Sequence, residues 1–361
     1  MRMHENNISP NVTTPRVTVL MPVCNGQTYV REAMDSVIAQ TYQDWEFLIV
    51  DDGSTDDTPR ILNEYRRRDN RIRIVRNPGN MGISMSLNTG ISLSSGKFIA
   101  RMDADDISLP ERIGKQVNFL DRHPSVGVCG TWVQPMGGKK DRAVLYPRTH
   151  DSIVCTHLFN PAIAHPSVMM RRETLEKHGL SYSTQFPYAQ DYEFWVRCSH
   201  HTRLANIDEV LLILRQHENK ISEKKKQDQS RAARRVQEGQ LREMGLNPND
   251  AEMAVHEKLA HEAWEPHRDF LVSVDSWLSR LITANARTSR YPEPAFSTTL
   301  AAKWFSACTQ ASRLGLWTLA QYVRSPLSSR NPSKTPDVLK FMARCILRRG
   351  YWRDRFTSPP S

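Results

Sequence analysis

The sequence predicts an α/β fold of the Rossmann-like, three-layer α/β/α kind, followed by a helical extension. Two observations carry this prediction. From about residue 16 to residue 217, short apolar segments with strand character alternate with amphipathic segments of helical period. After about residue 222, helical propensity dominates. Strands that alternate with helices are joined by crossovers, which makes the strands parallel and places helices on the faces of the sheet.

The predicted elements follow one another in a regular order. The strands are Val17–Val23, Glu46–Val50, Arg71–Arg76 and a run that begins at Phe98. The helices between them are Tyr29–Gln40, Thr58–Arg68 and Ile83–Leu93. Because such sheets bind ligands at the carboxyl ends of their strands, the Asp pairs that follow two of these strands are candidates for a binding site.

The composition is that of a folded protein. The chain has 361 residues, of which 39% are hydrophobic and 24% charged, and no apolar run approaches the roughly 18 residues that span a bilayer. Six scattered cysteines without a CxxC pair favour reduced thiols over a zinc site or a disulfide framework. The net charge of +10 indicates an anionic partner. No nucleic-acid motif is present, so we expect no nucleic acid among the partners.

An acidic cluster, Asp103-Ala104-Asp105-Asp106, directly follows the fourth apolar run. Carboxylates this close raise one another's pKa unless a cation lies between them. Their oxygens are ligands that suit Mg²⁺ or Mn²⁺, which usually complete their shell with substrate phosphates. The alternative is a solvated turn after a strand.

An ordered set of motifs resembles family 2 of the inverting, nucleotide-sugar-dependent glycosyltransferases, which have the GT-A fold. The motifs are Met21-Pro22-Val23-Cys24-Asn25-Gly26, Asp51-Asp52-Gly53-Ser54-Thr55-Asp56, Asn77-x-Gly79-Asn80-x-Gly82, Asn88-x-Gly90, Gly96-Lys97 and Asp103-Ala104-Asp105-Asp106. Each motif alone is weak, whereas their joint order and spacing are specific. The resemblance covers roughly residues 16–222.

The resemblance implies a nucleotide-sugar site at the strand ends. The residues expected to contact the donor are Pro22, Val23, Asn25, Gly26, Asp51, Asp52, Ser54, Arg76, Asn80, Gly82 and Asp103. Simpler explanations stay open for some of them. The segment from Pro22 to Gly26 is also compatible with a plain strand-to-helix turn, and Asp51 and Asp52 with an Asx turn that caps the next helix.

The resemblance also implies a divalent metal, Mn²⁺ or Mg²⁺, bound by Asp105 and Asp103 at the two phosphates of the donor. A metal there neutralises the charge that develops on the leaving nucleoside diphosphate. His217, in the segment Arg215-Gln216-His217, is expected to complete the metal shell or to touch a phosphate. A structural histidine after an apolar strand is the alternative.

Asp191, in the segment Ala189-Gln190-Asp191, matches the family's general base at a helix start. The family's Glu before this Asp is replaced here by Gln190, whose neutral amide raises the pKa of the Asp less than a carboxylate would. The alternative for Asp191 is an acid favoured by the helix dipole. His165 and Trp195 are the expected acceptor contacts, and a core role is the alternative for each.

Taken together, the resemblance implies metal-dependent, inverting transfer of a sugar from a UDP-sugar to a saccharide acceptor. The acceptor is expected to be lipid-linked, in capsule, O-antigen or exopolysaccharide synthesis, and the protein to be cytoplasmic and peripheral on the inner face of the plasma membrane. Two other functions stay open. Gln190 suggests a non-catalytic nucleotide-sugar-binding scaffold protein. A sugar-phosphate nucleotidyltransferase is the second, although no Gly-rich triphosphate loop follows the first strand.

The predicted domain organisation has five parts. They are a disordered leader at 1–15, a GT-A catalytic domain at 16–222, a helical region at 223–324, a linker rich in Ser and Pro at 325–336 and a basic amphipathic tail at 337–361. In the tail, Lys and Arg alternate with apolar and aromatic residues, a pattern typical of a helix that lies on anionic lipid. A helix packed on the domain with a solvated basic face is the alternative.

Overall fold

A computed structural model describes residues 14–138, 142–217, 225–261, 265 and 267–348. Most of the predicted leader, the start of the predicted helical region and the end of the predicted tail therefore lie outside the described residues. The chain forms two compact units. Of the described residues, the sheet unit comprises those within 1–146, 163–184 and 201–218, and the helical unit comprises those within 147–162, 185–200 and 219–361.

A mixed eight-stranded sheet organises the sheet unit. Its strands are β1 (Val17–Val23), β2 (Trp45–Asp51), β3 (Ile72–Arg76), β4 (Phe98–Arg101), β5 (Ile107–Ser108), β6 (Val126–Met136), β7 (Met169–Arg171) and β8 (Arg203–Arg215). The order across the sheet is β3-β2-β1-β4-β7-β6-β8-β5. β1 to β4 pair in parallel, as the alternating pattern predicts, and so do β6 and β8. The three-residue β7 runs antiparallel to β4 and β6.

Helices cover both faces of this sheet, which confirms the predicted three layers. The helices are α1 (Val30–Ile38), α2 (Thr58–Arg68), α3 (Ile83–Leu93), α4 (Arg112–Arg122) and, after β7, α6 (Arg172–Lys177). Residues of α1, α2 and α4 share one core with Val19 and Met21 of β1. Leu20 points to the opposite face because strand residues alternate. There it meets α3 so closely that a Cβ on Gly90 would lie 2.1 Å from its side chain.

The order of the strands reverses between β1 and β4. β2 and β3 extend the sheet on one side of β1, and the chain then returns through α3 to place β4 on the other side. In open α/β sheets this reversal leaves a crevice at the carboxyl ends of the neighbouring strands, where ligands bind. The loops after β1, β2 and β4 therefore define the candidate site.

The helical unit contains the remaining helices. They are α5 (His150–His157), α7 (Gln190–Ser199), α8 (Lys226–Glu243), α9 (Asp250–His261), α10 (Arg268–Thr288), α11 (Ala295–Gln310), α12 (Leu316–Arg324) and α13 (Thr335–Ile346). Apart from α7, which packs with α8 in a smaller cluster, these helices share a core that includes Trp277, Phe296 and Trp304. Residues 289–294 separate α10 from α11. Among the described residues, no helix is both long and apolar enough to cross a membrane.

The units do not follow the predicted domain boundary at residue 222. Residues 147–162 and 185–200, which the sequence analysis assigns to the catalytic domain, cluster with the C-terminal helices. The predicted linker contains a 3₁₀ helix, Pro326–Arg330, whose Leu327 is buried in the helical core. The helix predicted in the tail begins at Thr335 and ends at Ile346. Whether the predicted domains fold separately stays a prediction.

Candidate functional site

The loops after β1 and β2 are joined by hydrogen bonds, and these bring several predicted donor contacts together. The side-chain oxygen of Asn25 accepts a hydrogen bond from the N–H of Thr55 (2.8 Å). The hydroxyl of Ser54 accepts one from the N–H of Asn25 (2.9 Å), and that of Thr58 accepts one from the N–H of Gly26 (2.9 Å). Asn25 has a left-handed φ of 53°, a conformation in which Asn is enriched. The two loops thus form one linked structure.

Asp51 and Arg76 lie at the adjoining strand ends. Pro22 and Val23 occupy the last two positions of β1, and Val23 pairs with Asp51 of β2. The buried Asp51 carboxylate accepts a hydrogen bond from the N–H of Ser54 (2.9 Å) and lies 3.6 Å from Nε of Arg76. Arg76 also donates to the carbonyl of Ser54 (2.8 Å). Because the Arg76 side chain is 55% exposed, it has donors that face solvent at the mouth of the crevice.

The buried Asp52 carboxylate holds the loop that follows β3. It accepts hydrogen bonds from the side chain of Asn77 (2.7 Å) and from the N–H groups of Met81 and Gly82 (both 2.9 Å). Burial raises the pKa of Asp52, but these hydrogen bonds outweigh it and hold the pKa below its ordinary value. Asn80, within this loop, reaches back to the loop after β1. The structure thus gives Asp52 a role in shaping the site, which the sequence analysis did not assign.

A buried arginine fixes the first carboxylate of the acidic cluster. Arg101 is 1% exposed, and its two terminal nitrogens each donate to one carboxylate oxygen of Asp103. Two parallel N–H···O bonds to a carboxylate are strong and directional. A second buried arginine, Arg112, donates to the backbone carbonyl of Arg101 (2.6 Å). Burial, and then the charge of Arg101, lowers the pKa of Arg112 to about 10, so Arg112 stays protonated at neutral pH.

The structure brings the predicted metal residues together. Asp103, Asp105 and Asp106 each offer a carboxylate oxygen within 4.8 Å of the others. Nε2 of His217 lies 3.0 Å from Oδ2 of Asp105, and the N–H of Arg215 donates to Oδ1 of Asp106 (2.9 Å). β8 therefore delivers His217 to the acidic cluster from the far part of the sequence, as the resemblance implies.

Side chains of the sheet unit support His217 and Arg215 around the cluster. The guanidinium group of Arg215 contacts the carboxylate of Glu32 (2.5 Å) and lies over the ring of Tyr29, 4.5 Å from its centre. The Tyr29 and His217 rings are 4.9 Å apart. Arginine over an aromatic face is an attractive arrangement. The end of β8 is thus anchored to the start of α1.

These residues fit a divalent cation of the Mg²⁺ or Mn²⁺ kind. Three carboxylates and one imidazole provide hard oxygen and nitrogen donors, which such ions accept. Nδ1 of His217 is buried and has no hydrogen-bond partner within the described part of the chain. Because Arg101 occupies both oxygens of Asp103, the remaining negative charge of the cluster resides on Asp105 and Asp106.

His165 lies in the core of the sheet unit. It is 8% exposed, and its Nε2 is 2.9 Å from the hydroxyl of Tyr182. Burial holds the pKa of His165 well below its ordinary value, so the ring is neutral. Asn88 holds the backbone of Tyr182 through two hydrogen bonds of 2.8 and 2.9 Å. This burial favours the core alternative for His165 over a direct acceptor contact.

Asp191 lies in the first turn of α7, in the helical unit. Its neighbour Tyr192 is buried, and the Tyr192 hydroxyl donates to the carbonyl of His157. Gln240 of α8 donates to the same carbonyl (2.8 Å). Gln190 is 8% exposed, and within the described residues its side-chain oxygen is buried without a hydrogen-bond partner. Helix α7 is therefore anchored at Tyr192, one residue after Asp191. The residue before Asp191 is Gln190, with its unpaired side-chain oxygen.

The burial of Trp195 contradicts its predicted contact with the acceptor. Its side chain is fully buried and packs against Phe194, with ring centres 5.2 Å apart. A ring with no exposed face cannot stack on a sugar. Trp195 follows Asp191 by four residues, which places the two near one face of α7, and the burial shows that Trp195 anchors that face in the core.

Sequence reasoning predicted Arg76 but assigned no role to three other arginines of the site. Arg101 and Arg112 are fully buried and Arg215 is largely so. One signal was available for Arg101, since it lies two residues before Asp103 and side chains two apart point to the same side of a strand. The contacts of Arg112 and Arg215 join segments distant in sequence, and no local pattern reports them.

Comparison with known proteins gives a consistent result. The profile of the family described as glycosyl transferase family 2 matches residues 18–179. An uncharacterized glycosyltransferase of Haemophilus influenzae is 34% identical over 232 residues, which cover 62% of this chain and 72% of the relative. The O-antigen biosynthesis glycosyltransferase WbnJ of Escherichia coli is 30% identical over 214 residues, 58% of this chain and 82% of the relative.

Solved structures show the same fold at low sequence identity. The structure of residues 1–349 of TarS from S. aureus in complex with UDP-GlcNAc has a TM-score of 0.55 at 16% identity, and covers 87% of this chain and 90% of that one. The mannosyltransferase PcManGT from Pyrobaculum calidifontis, in complex with GDP-Man and Mn²⁺, has a TM-score of 0.53 at 18% identity, with coverage of 83% and 88%. The fold is thus GT-A-like.

Proposed function

We propose a specific reaction for this chain, which belongs to glycosyltransferase family 2: metal-dependent, inverting transfer of a sugar from a nucleotide-sugar donor to a saccharide acceptor. The observation that carries the proposal is the acidic cluster with His217 at the carboxyl end of the sheet. It adjoins loops whose polar groups are already linked to one another. A diphosphate and a divalent cation are the ligands that such a set of groups suits.

Three groups of residues take part in holding the donor. The linked loops of Asn25 and Ser54 offer polar groups to the base and ribose, and Arg76 offers exposed guanidinium donors to an anionic group. Asp105, Asp106 and His217 would hold the cation, while Asp103, fixed by Arg101, presents an oriented carboxylate beside them. When bound, the cation supplies Lewis acidity to the diphosphate leaving group.

Asp191 is the proposed general base. In the reaction, an acceptor hydroxyl gives its proton to the Asp191 carboxylate, and the hydroxyl oxygen forms a bond to the anomeric carbon. The bond from that carbon to the diphosphate oxygen breaks, and the nucleoside diphosphate leaves. Attack from the face opposite the leaving group inverts the anomeric configuration. No covalent enzyme intermediate is needed, because one carboxylate serves as base.

The finer parts of the proposal concern the donor, acceptor and location. UDP-GlcNAc is bound by TarS and GDP-Man by PcManGT, and we propose a UDP-sugar here. The similarity to an O-antigen biosynthesis enzyme supports a lipid-linked saccharide acceptor in surface polysaccharide synthesis. Such an acceptor would bring the protein to the inner face of the plasma membrane.

Nucleoside diphosphate release tests the proposal. The protein is incubated with Mn²⁺ and a panel of UDP-, GDP- and dTDP-sugars, with and without lipid-linked acceptors. Release that Asp105→Ala and Asp191→Asn each lower by a hundredfold or more supports the transferase. Asp57→Asn is the matched control, because Asp57 is an exposed carboxylate paired with Arg60 on α2.

Two outcomes would replace the proposal. Donor binding without turnover, with every acceptor supplied, would indicate a non-catalytic nucleotide-sugar-binding protein, which the substitution of Glu by Gln190 favours. Pyrophosphate release from a nucleoside triphosphate and a sugar phosphate would indicate a nucleotidyltransferase. The stereochemistry is read separately, from the anomeric configuration of the isolated product.

A further inference from the structure

Helices α12 and α13 carry large apolar side chains on their outer faces. On α12, Leu316 and Val323 are 65% and 62% exposed. On α13, Leu339 and Ile346 are 59% and 64% exposed. Each pair is separated by seven residues, which places its two members on one face of a helix, two turns apart. Leu347, directly after α13, is 61% exposed. Water-exposed aliphatic side chains thus form a stripe on each helix.

The opposite faces of both helices lie in the same core. Tyr322 of α12 and Phe341 of α13 are 5% and 0% exposed, and their rings meet edge to face with centres 5.2 Å apart. Thr318 and Cys345 are also buried on these inner faces. Each helix therefore buries one face in this core and exposes another. We call the outer faces of α12 and α13 the α12–α13 surface.

This part of the chain is strongly basic. Between residues 311 and 348 there is one acidic residue, Asp337, and seven basic ones: Arg313, Arg324, Arg330, Lys334, Lys340, Arg344 and Arg348. Their balance of +6 is more than half of the net charge of +10 carried by the whole chain. Lys340 is exposed and follows Leu339 directly on α13. Apolar stripes therefore lie among an excess of positive charge.

We propose that the α12–α13 surface docks on an anionic phospholipid bilayer. Helices that lie in a membrane interface combine an apolar face, which enters the boundary of the acyl chains, with Lys and Arg that meet the head groups. Contiguous exposed apolar patches are unfavourable in water and mark interaction sites. The positive excess selects a negatively charged partner surface. The inference rests on the proposed function only for the reason why the protein would dock, which is that a lipid-linked acceptor is held at the same interface.

Co-sedimentation with vesicles tests the docking. The full chain is mixed with vesicles of phosphatidylcholine alone or of phosphatidylcholine with phosphatidylglycerol. We expect binding to the second kind, and at least tenfold weaker binding to the first or at high salt. The double variant Leu339→Ser/Ile346→Ser is expected to bind about tenfold more weakly, because two aliphatic side chains are lost from the contact. Lys340→Glu is expected to weaken binding about tenfold.

Val272→Ser is the matched control, since Val272 is 54% exposed on α10 and lies outside the α12–α13 surface. It should bind vesicles like the wild type. Absence of binding to phosphatidylglycerol vesicles would overturn the inference, and so would unchanged binding of the double variant. If Trp352→Ser/Phe356→Ser removes binding while the double variant keeps it, the assignment to the α12–α13 surface is wrong. A dimer in sedimentation that the double variant dissociates would assign the surface to a second copy instead.

Enzyme assays separate this inference from the proposed function. Nucleoside diphosphate release with a water-soluble acceptor should be the same in the double variant and the wild type, because neither substituted residue belongs to the candidate site. Vesicle binding without nucleoside diphosphate release would support the docking and contradict the proposed transferase function. Nucleoside diphosphate release without vesicle binding would support the transferase and contradict the docking.

Discussion

The candidate donor site and the start of α7 differ in how their polar groups are satisfied. In the sheet unit, Asp52 accepts hydrogen bonds from the loop after β3, and Asp103 from the buried Arg101. In the helical unit, the side-chain oxygen of Gln190, next to Asp191, is buried without a hydrogen-bond partner among the described residues. A buried, unpaired polar group costs about 1 to 3 kcal/mol of stability. The carboxylates of the donor site therefore have hydrogen-bond partners within the protein. The side-chain oxygen of Gln190, at the start of α7, has none among the described residues.

This difference matters for catalysis because groups that are held in place before the reaction need no reorganisation during it. The carboxylates of the sheet unit are oriented by N–H donors and by an arginine. The proposed base relies on the anchoring of Tyr192, one residue later, to fix the helix that carries it. Substitutions in the sheet unit should therefore change stability as well as donor binding, while substitutions at Gln190 should change mainly the pH dependence of the reaction.

Arg101→Met should have the largest effect on the sheet unit. It leaves Asp103 without its bidentate partner, and breaking a buried ion pair from one side is strongly destabilising. Because the Asp103 side chain is 24% exposed, we expect a loss of about 2 to 3 kcal/mol in the free energy of unfolding, measured with urea. Arg60→Met removes an exposed pair with Asp57 and should leave the unfolding midpoint unchanged. Equal unfolding midpoints for the wild type and Arg101→Met would show that the two hydrogen bonds from Arg101 to Asp103 do not stabilise the site.

Asp52→Asn should have the next largest effect. An amide at this position directs an NH₂ group or a neutral oxygen at the N–H groups of Met81 and Gly82, so about 1 to 2 kcal/mol of stability should be lost. The pKa of Asp52 is lowered in the folded state, so its contribution is present above the pKa of the unfolded chain and is lost as the pH falls through the folded pKa. Urea unfolding between about pH 6 and pH 3 should bring the two proteins closer as the pH falls. A constant difference would contradict this account of Asp52.

The sheet and the strand ends were predictable from the sequence because period and turn chemistry are local signals. Helices α2 and α3 begin and end at the predicted residues, and His217 lies beside Asp105 as the resemblance implied. The antiparallel direction of β7 was not predictable, because three residues show no period. The role of Arg112 depends on contacts with backbone carbonyls of Arg101 and Val168, which only the folded chain brings together. Trp195 was misassigned because its helical spacing is compatible with either a core or a site position.

The space around two glycines, one in each unit, shows a difference in local packing. A Cβ on Gly90 would lie 2.1 Å from the buried Leu20 side chain, whereas a Cβ on Gly239, in the interior of α8, meets nothing within 4 Å. Gly239→Ala should therefore stabilise the protein by about 0.5 to 1 kcal/mol, because Ala favours helix over Gly. Gly90→Ala should destabilise it, since overpacking forces side chains from their rotamers. Thermal unfolding of both variants is the measurement, and a stabilising Gly90→Ala would show that α3 can move away from β1.

Gln190→Glu addresses the start of α7 itself and should have the smallest effect on structure. A second carboxylate beside Asp191 disfavours the ionised form of that pair. If Asp191 is the base, the acid limb of the pH profile of kcat/KM should move to higher pH, by about one unit. Glu193→Gln is the matched control, because Glu193 lies on the same helix but is paired with Arg197, and its acid limb should stay in place.

The direction of that shift decides between two views of Gln190. A base with an ionised neighbour is stronger but is available over a narrower pH range, so a neutral Gln190 would extend activity to lower pH. If the acid limb does not move in Gln190→Glu, then Asp191 is not the titrating base. In that case the unsatisfied amide belongs to a helix start that has lost its catalytic role. Another group would then accept the proton of the acceptor hydroxyl, and Asp191→Asn would leave kcat/KM unchanged.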